Sequence, residues 1–182
     1  MTIKQFLPVV LMIAIVAALY VLVAQYFKVS ALWVPFISWP LYFIAGAKPS
    51  RLHKEVIGLT GGMIFGYLTL VVAVPFTNLF GSVLGLPLTV FLAAFIIVLL
   101  ELTDWFELAP AYFFAFAGYF AYVFGGFGGP GATYVSAMFP YWVLLMVGLG
   151  LGYFTALLRK KILEKEGIYG AAQETVFDKE RK

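Results

Sequence analysis

The stretch Gly62-Met63-Ile64-Phe65-Gly66-Tyr67-Leu68-Thr69 has a counterpart 86 positions further on, Gly148-Leu149-Gly150-Leu151-Gly152-Tyr153-Phe154-Thr155. Both read Gly-x-x-x-Gly-Tyr-[Leu/Phe]-Thr, and both lie inside long apolar runs. Small residues four apart form a smooth helix face that lets two backbones approach closely in lipid. Self-similarity at a fixed offset is the mark of an internal repeat. These eight residues therefore predict two helices that occupy equivalent places in two copies of one unit.

The flanking sequence extends the correspondence. Phe36, Trp39, Tyr42 and Phe43 match Phe113, Phe116, Tyr119 and Phe120 at an offset of 77. Leu7-Pro8 and Gln25-Tyr26-Phe27 match Leu86-Pro87 and Asp104-Trp105-Phe106 at an offset of 79. Three matches in the same order divide the chain into repeat one, about 1–78, and repeat two, about 79–158. Each repeat holds three apolar segments, at 6–27, 31–47 and 56–76, then 86–104, 108–124 and 138–158. A spanning helix needs about 20 apolar residues, so the reading is six transmembrane helices. An odd number of spans per repeat makes the second copy enter the membrane from the opposite face, an architecture recurrent in transporters and channels. The fold class is all-α integral membrane, with residues 1–158 as one transmembrane domain.

Composition agrees with lipid as the solvent. Of 182 residues 63% are hydrophobic and 12% charged, where a soluble domain has about a quarter charged. The 19 Phe, 11 Tyr and 4 Trp suit membrane interfaces and helix contacts. The net charge of +3 sits in short stretches between apolar runs and does not indicate nucleic-acid binding. Cys is absent, which removes disulfides, thiolate chemistry and Cys-based metal sites. The run from Phe6 to Phe27 reads as a retained first helix rather than a signal peptide, since no small-residue cleavage site closes it.

Charge also predicts orientation. Lys4, the group Lys48, Arg51 and Lys54, and the group Arg159, Lys160, Lys161 and Lys165 fall on one side. The opposite side has only Lys28, and the stretches near 77–85 and 125–137 carry no charge. The positive-inside rule places both termini in the cytoplasm and the protein in the cytoplasmic membrane. Residues 159–182 read as a charged cytoplasmic tail.

Four sets of residues are candidates for function. Phe36, Trp39, Tyr42 and Phe43 share one helix face, as do Phe113, Phe116, Tyr119 and Phe120. Their segments are the shortest and carry Pro35, Pro40, Pro110 and Gly118. Short, interrupted segments at matching places in two halves point to a transporter's site, so these eight rings are expected to line a solute path. The competing expectation is that they only pack the bundle. Gly62, Gly66, Gly148 and Gly152 are expected to pack helices, with Gly150 widening the smooth face. Glu101 and Asp104, three apart at the end of segment four, form a candidate proton or cation site if they lie within the membrane, and a headgroup-level pair if they do not. His53 is the single histidine, and no metal set, catalytic triad or phosphate loop is visible. The chain is expected to be no enzyme and to need no cofactor.

The run Trp-x-x-Tyr-Phe-x-Ala-Gly from Trp39 to Gly46 resembles a family pattern. So do Ala-Pro-Ala-x-Phe with Gly-Tyr-Phe-Ala between Ala109 and Ala121, and the closing Gly-x-x-x-Gly-Tyr from Gly148 to Tyr153. The family is that of small bacterial and archaeal YcdZ-like inner-membrane proteins, a domain of unknown function numbered 1097. The resemblance covers about residues 6–158, and the chain departs from the pattern in Pro40 and in its charged tail. It implies the cytoplasmic membrane and supplies no activity. From the residues themselves the expected function is a channel or transporter for a small neutral or weakly charged solute. The alternative is a non-catalytic scaffold or a subunit of a larger membrane complex. The expected partners are membrane lipid, a small-molecule solute and further copies of the chain in a homo-oligomer.

Overall fold

The computed structural model describes residues 2–168. Among them the chain is all-helical, with six α-helices. They are α1 (Ile3–Tyr26), α2 (Pro35–Ile44), α3 (Leu52–Phe80), α4 (Gly85–Leu100), α5 (Ala109–Phe124) and α6 (Tyr134–Lys165). A short 3-10 turn, Pro49–Arg51, precedes α3. Three helical stretches are long and apolar enough to cross a membrane: Ile3–Tyr26, Pro49–Phe80 and Tyr134–Lys165. The apolar helices mark a membrane protein, since their side chains would have no favourable contact with water.

The second apolar segment yields much less helix than its length suggests. Only Pro35–Ile44 is helical, 10 residues, or about 15 Å at 1.5 Å per residue. That is half of a hydrocarbon core about 30 Å thick. Residues 30–34 form turns, and Pro35 at the first helical position starts the helix where its missing N–H removes no helical bond. At the other end Gly46, with φ 99°, closes a left-handed cap in which the Ala47 N–H donates to the Tyr42 carbonyl at 2.8 Å. The reverse happens to α3 and α6, which run past their apolar cores, to 29 and 32 residues. α4 stops at Leu100, four residues before the apolar run was expected to end.

The chain divides into two compact units. Unit one is Met1–Leu52 with Val147–Lys182, so it holds α1, α2 and the second half of α6. There α2 is buried through Ser38, Trp39, Leu41 and Tyr42. α1 leans on this core by few groups. The Tyr20 hydroxyl donates to the Leu32 carbonyl at 2.8 Å, and its ring meets Phe36 edge-on. Of the 24 residues of α1 only Val9 and Ala24 are buried; Leu7, Leu11, Ile15, Leu19 and Leu22 are exposed.

Unit two is His53–Met146, with α3, α4, α5 and the first half of α6. α4 buries Gly85, Thr89, Ala93 and Ile97, each four residues from the last, a single narrow seam. Ala93 and Ile97 pack with Ala109, Tyr112 and Phe116 of α5. Val90 and Leu100 are half-buried against the same core, while Phe91, Phe95 and Val98 are exposed. Tyr141 anchors α6 within this unit: its hydroxyl donates to the Ala115 carbonyl at 2.9 Å, and its ring meets Tyr119 and Tyr122.

Candidate functional site

Each unit is organised around a short aromatic helix seated on a glycine face. In unit two, a Cβ on Gly62 would run into the backbone of Tyr112, and one on Gly66 would lie 3.0 Å from the Tyr119 ring. In unit one, a Cβ on Gly148 would run into the backbone of Pro35 and the Ser38 side chain. One on Gly152 would lie 2.8 Å from both the Trp39 carbonyl and the Tyr42 Cβ. In both units the partner numbers rise together, so the paired helices run parallel. The two seats also correspond residue for residue. Gly148 stands 86 positions after Gly62 and Gly152 the same distance after Gly66, while Tyr112 and Tyr119 stand 77 after Pro35 and Tyr42. Gly150 takes no part in its seat, for it is exposed and a Cβ there would meet nothing.

A hydrogen bond fastens the seat in unit one, and in unit two α6 is bonded to both seat helices. In unit one the Trp39 indole N–H donates to Thr155 Oγ1 at 2.9 Å, and Thr155 in turn donates to the Leu151 carbonyl. In unit two the Trp142 indole N–H donates to Thr60 Oγ1 at 3.0 Å. The Tyr119 hydroxyl donates to the Tyr134 carbonyl. Of the eight aromatic candidates, Trp39, Tyr42, Phe116 and Tyr119 are buried. Tyr42 meets Tyr153 edge-on, and Phe116 packs against α4 and lies 4.7 Å from Phe120. Phe43 and Phe120 are half-buried, while Phe36 and Phe113 are on the surface.

The acidic pair lies outside any helix. Glu101 caps α4, and Asp104 falls in the turns that follow, with both exposed. Lys54 of α3 donates to Asp104 at 2.9 Å and to Glu107 at 2.8 Å. The hydrogen bond from Lys54, followed by its positive charge, holds the Asp104 carboxyl below the usual carboxylate range. Next to it the His53 ring meets Trp105. The α4–α5 connection is thus clipped to the start of α3. Among the described residues no group of three His, Asp or Glu side chains is placed to hold a metal ion.

Glu55, which sequence reading passed over as part of a charged loop, is fully buried at 0% exposure. Neither of its carboxylate oxygens has a hydrogen-bond partner. The Tyr112 hydroxyl is also buried and unpartnered. Glu55 shares the α3 face of Gly58, Gly62 and Gly66, being 3, 7 and 11 residues from them. A Cβ on Gly58 would meet Ala111 and Tyr112, and one on Gly61 would meet the Tyr112 ring. Helical phase was the available signal, because a Glu in line with a packing glycine stripe points toward the partner helix.

The sequence model of a family described as "Protein of unknown function (DUF1097)" matches residues 10–160. No curated protein and no solved structure matches the chain.

Proposed function

The chain belongs to the DUF1097 family, and from that premise we propose that it is a channel or transporter for a small neutral or weakly charged solute. On this reading it lies in the cytoplasmic membrane with both termini in the cytoplasm. Its two three-helix repeats are inverted; unit one joins α1 and α2 of repeat one to the second half of α6, and unit two joins α3 of repeat one to α4, α5 and the first half of α6 of repeat two.

One observation carries this reading: the seats Gly148–Pro35 and Gly152–Tyr42 in one unit recur as Gly62–Tyr112 and Gly66–Tyr119 in the other. A glycine seat alone is a packing device. Two seats related by the offsets of a sequence repeat, each holding a helix too short to span, fit the broken-segment pattern of transporters. The half-length of α2 supports the same view, because irregular backbone at membrane depth is tolerated only inside protein or along a cavity.

The test is flux. Full-length protein in proteoliposomes should speed the passage of glycerol, urea or short weak acids over protein-free vesicles. Cysteines placed by Ser50→Cys and by Ala132→Cys should label from opposite faces. A specific observation favours a second reading. The polar groups of Trp39 and Tyr119 are already bonded within their units, as a pure scaffold would have them. If no solute in the panel moves faster than through empty vesicles, the scaffold or complex-subunit reading replaces transport.

A further inference from the structure

Glu55 is an anomaly in energetic terms. An ionised carboxylate withdrawn from water without a hydrogen bond or counter-ion is among the most costly arrangements a protein can hold. Such a residue at the edge of an apolar helix marks a functional site by default. Its neighbours on the chain do not neutralise it, since Lys54 is committed to Asp104 and Glu107, Arg51 donates to the Ala45 carbonyl, and the His53 ring meets Trp105.

The elements packed on α3 in unit two contribute few titratable groups. On α5, Tyr119 donates to the Tyr134 carbonyl, and Tyr112 is unpartnered. On α6, Tyr141 donates to the Ala115 carbonyl. The α4–α5 connection offers Glu101, which is exposed, and Asp104 and Glu107, which Lys54 holds. No cation faces the carboxyl among these groups. A metal ion would need several oxygen ligands, and no group of three acidic or histidine side chains is available among the described residues. A proton needs one carboxylate oxygen.

We propose that Glu55 is a proton-binding site that alternates between neutral and charged forms as the protein works, coupling solute movement to protons. The neutral acid fits this buried setting. Releasing the proton requires the α3–α5 seam to admit water or to bring a donor to the carboxylate, and the Tyr112 hydroxyl is the unused donor on that seam. The proton arrives on a carboxylate oxygen from water and leaves to water, so no other reactant is required. The glycines bear on this step, because Gly58, Gly61 and Gly62 put no side chain of α3 between its backbone and Tyr112.

The coupling rests on the transport reading, whereas the proton site does not, and two measurements separate them. The first is infrared difference spectroscopy of the full-length protein in vesicles, stepped from about pH 5 to about pH 10, a range that begins above the titration of ordinary carboxyls and spans that of buried ones. A protonated-carboxyl band should vanish as pH rises. It should be present in wild type and in Glu101→Gln and lost in Glu55→Gln. Glu55→Asp keeps a titratable group at a shifted frequency and serves if Glu55→Gln does not fold. Superposable spectra for wild type and Glu55→Gln, or an unmoved band in Glu55→Asp, overturn the site. The second measurement is solute uptake under an imposed pH gradient. The gradient should change wild-type uptake and leave Glu55→Gln uptake unchanged. Uptake that responds equally in both overturns the coupling. A titrating Glu55 with no flux of any solute leaves the site standing and removes the transport reading.

Discussion

Adding one methyl group at each seat glycine gives a graded test of the architecture. At Gly152 the new Cβ would lie 2.8 Å from the Trp39 carbonyl oxygen and from the Tyr42 Cβ. Restoring an ordinary contact of about 3.5 Å moves α2 away by about 0.7 Å. Both obstacles are rigid, because one is backbone and the other is a Cβ. Overpacking of this kind costs about 1–3 kcal/mol. For a chain of this size each kcal/mol lowers the melting temperature by about 2–4 °C, so Gly152→Ala should lose about 2–12 °C. Gly62→Ala and Gly148→Ala drive the methyl into the partner's backbone and should lose at least as much, each by a similar amount. Gly66→Ala meets the Tyr119 ring at 3.0 Å, which can yield slightly, and should lose less. Gly150→Ala meets nothing and gains the helix preference of Ala over Gly, about 1 kcal/mol at most. Thermal unfolding of the purified variants in one detergent, followed by circular dichroism, reads the series. Equal losses at Gly150 and Gly148, or no loss at both Gly62 and Gly148, would refute the seats.

Thr155→Val removes the acceptor of the buried Trp39 indole and should cost about 1–3 kcal/mol, measured by the same melting curves; Thr60→Val, whose Trp142 bond is only partly buried, should cost less. Asp104 gives a pH dependence of known sign. Its folded value is depressed by Lys54, so its contribution is present above the ordinary carboxylate range and is lost as pH falls through the lowered value. Lys54→Met should abolish that acid-side dependence in melting curves taken across acidic pH, and an unchanged profile would show that the clip contributes nothing.

The long, uniformly apolar helices were legible in the sequence, as were the four seat glycines. Hydropathy fixes the first, and an offset kept at 86 between Gly62 and Gly148 and between Gly66 and Gly152 fixes the second. What hydropathy does not encode is backbone shape inside an apolar run. Ala31 and Val34 are as apolar and as buried as any helical residue, yet they belong to the turns before α2. Pro35 carried the correct signal, a helix start. α4 ends at Leu100 for a related reason: the apolar segment reaches 104, but Glu101 to Asp104 lie in turns and bends. Glu55 was missed because its neighbours His53 and Lys54 are charged or polar groups at the helix edge, and only helical phase separates it from them. The expectation for the charged tail can be followed to residue 168, with α6 continuing to Lys165; residues 169–182 lie outside the described residues.

The seats also set an order of assembly during synthesis. α5 emerges after α3, so the glycine face it needs already exists. α2 emerges long before its own, for Trp39 and Thr155 are 116 residues apart. At about 5–20 residues per second the ribosome takes roughly 6–23 s to cover that distance. Throughout that interval a half-length helix with a buried serine and a polar indole waits without its seat, while α1, which needs little protein contact, can already settle in lipid. Unit two can close as soon as residue 146 is made, whereas unit one closes last. A truncation after α5 should therefore leave α2 exposed to quality-control proteases, and the last stretch of α6 is what releases the nascent chain from that hazard.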